Sequence, residues 1–244
     1  MGQFLSSAAP QTFAKKRGFR PSVLSITEAG ALSEQYGVNT QLPKKSLRPV
    51  SGDVVDYLLG KWVTLQRPSA TLFVLDASGS MEGAPLSEAK DFLRKAISSG
   101  TARDIRGLVS FSTRPRMESR FTSEIPILTK RVDDIQAVGG SAVYDGLRMA
   151  IDLATEPEAN PYRRTVVMIT DGDDKNSEVS LQMISDLVSD KFARYDMNFI
   201  VIAITTPGAD YSDLKRLARA GNGIYREGSF DQLSSLFDEI SQSL

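Results

Sequence analysis

Two aspartates and three serines, all in short loops that contain glycine, are the residues of this sequence best suited to chemistry. The first loop is DASGS, with Asp76, Ser78 and Ser80 directly after the apolar run TLFVLD. In the second, GGS, Ser141 follows Gly139 and Gly140; in the third, TDG, Asp171 follows VVMIT. Hydroxyls at alternate positions of a tight loop can converge on one hard cation as neutral donors. Carboxylates from two strand ends can then balance its charge, directly or through water. Mg²⁺ requires near-octahedral oxygen geometry and usually retains water, so such a site readily leaves one position open. Because most direct ligands would be neutral, the ion stays electrophilic, and a carboxylate from another molecule is a natural occupant of that position.

Composition narrows the alternatives. The 244 residues include no cysteine and no histidine. That excludes disulfides, zinc fingers, thiol nucleophiles, iron–sulfur clusters and any histidine base within this sequence. A metal here must be held by oxygen, which points to Mg²⁺, Mn²⁺ or Ca²⁺. Lys plus Arg is 29 and Asp plus Glu is 30, a formal net charge of −1, so no strong global field attracts nucleic acid or an anionic membrane. No stretch approaches the ~20 apolar residues of a membrane-spanning helix. The start, MGQFLSSAAPQTFAKKRG, lacks the order of a signal peptide, because its basic cluster follows scattered apolar residues.

The loops must be positioned by regular elements, and from residue 69 onward apolar runs alternate with amphipathic stretches. TLFVLD (71–76), IRGLVSFS (105–112), TVVMIT (165–170) and NFIVIAI (198–204) read as buried strands, and SRFTS (119–123) as a short polar one. Leu86, Ala89, Phe92, Leu93, Ala96 and Ile97 recur at helical spacing, as do Val143, Leu147, Ala150, Ile151 and Ala154. Ile184, Leu187, Val188 and Phe192 mark a further helix. Another is expected from Asp210, as its N-cap, to Gly221, then a short strand near 223–225 and a last helix through Leu233, Leu236, Phe237 and Ile240. Continuously apolar strands alternating with helices predict an α/β fold: a doubly wound, mostly parallel open sheet with right-handed crossovers. In such sheets ligands sit beyond the carboxyl ends of the strands, where the strand order reverses. All three loops fall at such ends or lead into a helix.

Residues 1–68 read differently, as a helical and extended segment preceding a domain over 69–244. Phe4 to Arg17 suggests two short helical turns broken at Pro10 and ended by Gly18, and 19–50 an extended connection with Pro21, Pro43 and Pro49. Ser51 is expected to cap a helix with Val54, Val55, Leu58, Leu59 and Trp62 on one side; Trp62 there suits packing better than ligand stacking.

TLFVLDASGSM, VGGSAVYDGL and VVMITDGDD together resemble the von Willebrand factor type A (VWA) domain and its metal-ion-dependent adhesion site. The resemblance covers 69–244 and implies a Rossmann-like fold that recognises proteins. It implies that Ser78 and Ser80 bind Mg²⁺ (or Mn²⁺/Ca²⁺) directly, and that Asp76 and Asp171 act mostly through water. The family's third hydroxyl is usually a threonine. Ser141 keeps the oxygen but lacks the β-branch that stiffens the rotamer. FLSSAAPQTFAKKRGFRP is similar to the terminal helices of bacterial extracellular solute-binding domains, some of which are fused to VWA domains. That likeness implies an extracytoplasmic location and a chain that belongs to a larger protein.

The leading expectation is a non-enzymatic, metal-dependent protein-binding module, monomeric, whose partner offers an Asp or Glu carboxylate. The loops 81–85, 113–117 and 173–177 would choose that partner. One alternative is a metal-independent scaffold. Another is a Mg²⁺-dependent phosphoryl hydrolase of the haloacid dehalogenase type, but that chemistry needs a second aspartate where Ser78 stands. No GxxxxGK[ST] phosphate loop exists either. Asp171, Asp173 and Asp174 form either a solvated rim or a second cation site. Asp145 either lies behind the metal or holds the start of its helix. Arg114, Arg116 and Arg120 surround the edge-strand candidate, where charge blunts unwanted pairing and could also receive an acidic partner.

Overall fold

In the computed structural model each of the apolar runs is a strand; residues 7–16, 51–55, 57, 67–172, 174–206 and 208–229 are described. The strands are β1 (Ser69–Asp76), β2 (Ile105–Phe111), β3 (Pro115–Thr122), β4 (Arg163–Thr170), β5 (Asn198–Ile204) and β6 (Ile224–Gly228). The helices are α1 (Ala8–Lys16), α2 (Ala84–Ser98), α3 (Ile125–Asp134), α4 (Val143–Ala154), α5 (Leu181–Tyr195) and α6 (Ser212–Ala220). One six-stranded sheet has the order β3-β2-β1-β4-β5-β6. Only the β2–β3 pair is antiparallel. The order reverses between β1 and β4, because the chain first builds outward from β1 to β2 and then returns to the other side.

Strand side chains alternate between the two faces, and both faces are covered, which is why the runs are apolar without interruption. Leu72 and Val74 of β1 pack with α4, α5 and α6, whereas Phe73 and Leu75 pack with α2 and α3. Phe73, Phe92, Phe111 and Phe199 are the largest fully buried side chains. Burying a side chain of this kind is worth about 1.5–3 kcal/mol. Gly146 lets α4 approach β2: a Cβ there would lie 2.7 Å from the Phe111 ring.

Several sequence expectations are corrected. α3 was not foreseen, since it shows only Leu128 and Val132 to the core. The edge strand is longer than 119–123 because pairing with β2 reaches back to Pro115. α6 starts at Ser212 rather than capping on Asp210. The Asp210 carboxylate accepts from the Ser212 N–H at 2.9 Å, so it still serves an orphan donor of the first turn. α1 runs through Pro10 without a break. Pro10 is the third helical residue, where no N–H has an intrahelical partner to lose.

The chain divides into two units, Met1–Leu65 and Gln66–Leu244. In the first, beyond α1, the backbone is helical at 52–55 and 57, with Val54 and Val55 exposed. Phe4, Gly18, Leu58, Leu59, Trp62 and the expected helix at 233–240 lie outside the described residues. Among the described residues, no helix is long and apolar enough to cross a membrane.

Opposite the carboxyl ends of the strands, Asp104 ties the start of β1 to the loop before β2. It accepts from the Ser69 N–H (2.7 Å) and hydroxyl (3.0 Å), and from the Thr101 N–H (2.6 Å) and hydroxyl (2.9 Å). Burial pushes its carboxyl up, but the four donors outweigh burial and hold it below the ordinary value of 3.8. A depressed carboxylate adds stability that is present above its unfolded value and lost as pH falls through the folded one. Asp104→Asn is expected to cost about 1.5–3 kcal/mol near neutrality. In urea unfolding the gap to wild type should narrow as the pH drops below 3.8; a gap that stays constant with pH would remove the charge from the explanation.

Candidate metal centre

The reversal between β1 and β4 sets two carboxylates side by side at the carboxyl ends of adjacent strands. Asp76 is the last residue of β1 and fully buried; Asp171 follows β4 and is 3% exposed. After Asp76 the chain turns through a short 3₁₀ segment, Gly79–Met81, which places the side chains of Ser78 and Ser80 together. Their hydroxyl oxygens are 3.0 Å apart, and Ser80 Oγ donates to Asp171 Oδ1 at 3.0 Å. The Asp76 carboxylate accepts from the Ser78 N–H at 2.8 Å and from the Thr170 hydroxyl at 2.6 Å. Ser141 Oγ reaches Asp76 Oδ2 at 3.5 Å, a long contact. All five expected residues therefore meet at one place.

The glycines have a local cause. Gly79 N–H donates to Gly139 O at 2.9 Å, which clamps the first loop to the second. Gly139 has φ +78°, and a Cβ there would sit 2.5 Å from Thr113 Oγ1, the atom that accepts from the Gly140 N–H. A Cβ on Gly140 would lie 1.9 Å from Asn176 Oδ1, which accepts from the Ser141 N–H at 3.0 Å. Thr170 was not singled out by sequence, and Thr113 and Asn176 fall in loops expected to choose the partner, with no bracing role assigned to them. Thr170 could have been, since a hydroxyl precedes Asp171 at the end of a buried strand. Thr113 and Asn176 act from distant loops and carry no local signal.

Burial pushes the Asp76 carboxyl up to about 6, against hydrogen bonds from Ser78 and Thr170 that favour its charge, and nearby Asp171 pushes the same way as burial. Burial likewise raises Asp171. Asp171 Oδ2 is buried and has no hydrogen-bond partner among the described residues. An ionised oxygen left bare in the interior is costly unless something positive meets it. Two buried carboxylates and three hydroxyls suit a hard, oxygen-seeking divalent cation.

The other acidic residues are accounted for differently. Asp145 lies in the first turn of α4, where its charge favours the helix dipole, and it also braces the loop that Asp171 begins. Its carboxylate accepts from the Glu178 N–H at 2.9 Å and the Val179 N–H at 3.3 Å, holding the loop after β4. Asp174 accepts from the Tyr144 N–H at 3.3 Å and so caps the first turn of α4 from outside. Asp173 lies outside the described residues, and among the described residues no three acidic side chains gather around a possible ion.

Residues 72–239 match the family model described as the von Willebrand factor type A domain. The chain belongs to the VWA family. Human inter-alpha-trypsin inhibitor heavy chain H4 is 26% identical to it over 236 residues, 88% of this chain and 24% of the relative. Bovine heavy chain H3 is 25% identical over 271 residues, 98% of this chain and 30% of the relative. The VWA chain thus spans no more than about a third of these relatives' length. Among solved structures, a von Willebrand factor type A protein from Catenulispora acidiphila superposes with a TM-score of 0.60 at 18% identity, over 71% of this chain and 42% of that one. Proximal thread matrix protein 1 from the mussel byssus, with a zinc-occupied MIDAS motif, gives 0.59 at 22% identity, over 71% and 44%. The vWF domain of the type V pili tip protein Mfa5 from Porphyromonas gingivalis gives 0.56 at 15%, over 73% and 95%. At these identities the structures establish the shared VWA fold: a mostly parallel sheet with helices on both sides.

Proposed function

We propose that this VWA domain is a divalent-cation-dependent protein-recognition module in which Asp76, Ser78, Ser80, Ser141 and Asp171 hold Mg²⁺ (or Mn²⁺/Ca²⁺). The observation that carries the reading is Asp171 Oδ2, buried and unpartnered among the described residues, beside the hydroxyl pair of Ser78 and Ser80. Bound there, the cation would offer an electrophilic position to a partner's Asp or Glu. Asp76 orients the first loop through the Ser78 N–H, and Thr170 fixes the Asp76 carboxylate in turn. Ser80 is the exposed member of the set and marks the side from which a partner approaches.

The names of the relatives, among them inhibitor chains, a pilus tip protein and a byssus matrix protein, support an interaction role rather than catalysis. They also favour an extracytoplasmic setting. The same proposal keeps residues 1–68 as the end of a bacterial solute-binding domain joined to the VWA domain, supported only by the helix at Ala8–Lys16, and takes the isolated chain as a monomer that needs neither nucleic acid nor a membrane.

Water-proton relaxation with Mn²⁺ tests the cation reading. Wild-type protein should enhance relaxation, because an open position keeps an exchangeable water on the ion. A short peptide bearing one aspartate should then reduce that enhancement by displacing the water. The double variant Ser78→Ala/Ser80→Ala should lose both effects. Enhancement that survives in the variant would place the ion elsewhere; no enhancement in wild type would favour a metal-independent scaffold.

A further inference from the structure

Beside the cation site lies an open cleft of about 720 Å³, walled in part by Ala77, Thr113, Arg114, Arg131 and Val138. It shares its wall with the metal loops. Ala77 sits between Asp76 and Ser78, and its carbonyl accepts from the Val138 N–H at 2.8 Å. Thr113 supports Gly140, the residue before Ser141. Val138 is 64% exposed at this rim, an apolar contact directly next to the Gly139–Ser141 loop.

The charges around the cleft are unevenly matched. Glu118 accepts from Ser110 Oγ at 2.7 Å and pairs with Arg116 at 3.5 Å. Asp134 pairs with Lys130 at 3.2 Å. Arg114 and Arg131 have no ion-pair partner among the described residues. Protection of a sheet edge does not explain them, because Arg114 precedes β3 and Arg131 lies on α3. Both line the same cleft, and an unneutralised guanidinium group suits a carboxylate.

We infer that the cleft receives a second acidic side chain of the same protein partner, held by Arg114 and Arg131, while the first carboxylate completes the cation's coordination. The inference rests on the cation reading above and adds to it that the recognised segment carries two nearby acids. Alternate side chains of an extended segment stand roughly 7 Å apart, so neighbouring sites can be reached by a single strand.

Fluorescence anisotropy on the full chain tests this with labelled Gly/Ser peptides carrying one aspartate, or two separated by one, two or three serines. In Mg²⁺ the best two-aspartate peptide should bind about fivefold or more tightly than the single-aspartate one, as expected for two partly exposed charge contacts. The double variant Arg114→Gln/Arg131→Gln should erase that gain and leave the single-aspartate peptide unchanged; both side chains are exposed, so its thermal midpoint should match wild type. Chelation should abolish binding of the single-aspartate peptide. Metal-dependent binding with no gain from the second aspartate, or a gain that the double variant retains, would overturn the cleft and leave the cation reading standing. Binding that ignores chelation would overturn the cation reading, and with it the joint recognition. Failure of every peptide to bind would overturn both.

Discussion

Saturating Mg²⁺ or Mn²⁺ is expected to raise the thermal midpoint of the wild-type protein by roughly 5–10 °C, and the Asp171→Asn variant is expected not to respond. A ligand that binds only the folded state at 100 times its Kd adds about 2.7 kcal/mol. For a domain of this size each kcal/mol moves the midpoint by about 2–4 °C. Asp171→Asn keeps the shape of the side chain and an oxygen for the Ser80 hydroxyl, which donates to Oδ1 at 3.0 Å. What it removes is one of two neighbouring buried negative charges. Burial already raises the Asp171 carboxyl, so the variant should be at least as stable as wild type without metal and less stable with it. That crossing of the two stability orders is the signature of a cation site. An equal rise in both proteins, or none in either, would sink the assignment of these five residues.

The opposite pattern is expected at Asp145. Asp145→Ala removes the acceptor for the Glu178 and Val179 N–H groups and leaves Val179, which is buried, with an unsatisfied donor. Hydrogen bonds to a charged group are worth about 1.5–3 kcal/mol each, and a stranded buried donor adds to the loss. A cost of about 3 kcal/mol, or roughly 6–12 °C in midpoint, is expected already in the absence of metal. The loop it releases also carries Asn176, which fixes the Ser141 N–H, so metal affinity should fall as well. Guanidinium unfolding of metal-free protein decides the matter. If Asp145→Ala were destabilising only in the presence of Mg²⁺, Asp145 would belong to the cation site after all.

These two carboxylates show how far the primary structure can be read. Asp171 was recognisable because it directly follows an apolar strand and belongs to one of three loops with related chemistry. Asp145 stands four residues after Ser141 in an equally suggestive place, yet its side chain turns to a loop more than thirty residues away. Nothing in its neighbourhood in the chain distinguishes those roles. α3 escaped for a related reason: with Leu128 and Val132 as its buried positions, its periodicity is too sparse to stand out from the polar residues around it. Pro10 misled because its effect depends on position within a helix, and only the helix start decides whether its missing N–H matters.

From the primary structure come the alternation of buried strands and amphipathic helices, the carboxyl-end placement of the acidic and hydroxyl residues, and oxygen as the ligand type open to any metal. Each follows from local periodicity or from which side chains exist at all. Folding brings Ser80 and Asp171, 91 residues apart, into a shared hydrogen bond. It also decides that Thr170 fixes Asp76 and that Asn176 and Thr113 brace the Ser141 loop. Those contacts depend on β1 and β4 lying side by side, and adjacency in a parallel sheet is set by how the helices pack across both faces rather than by any neighbour in the chain.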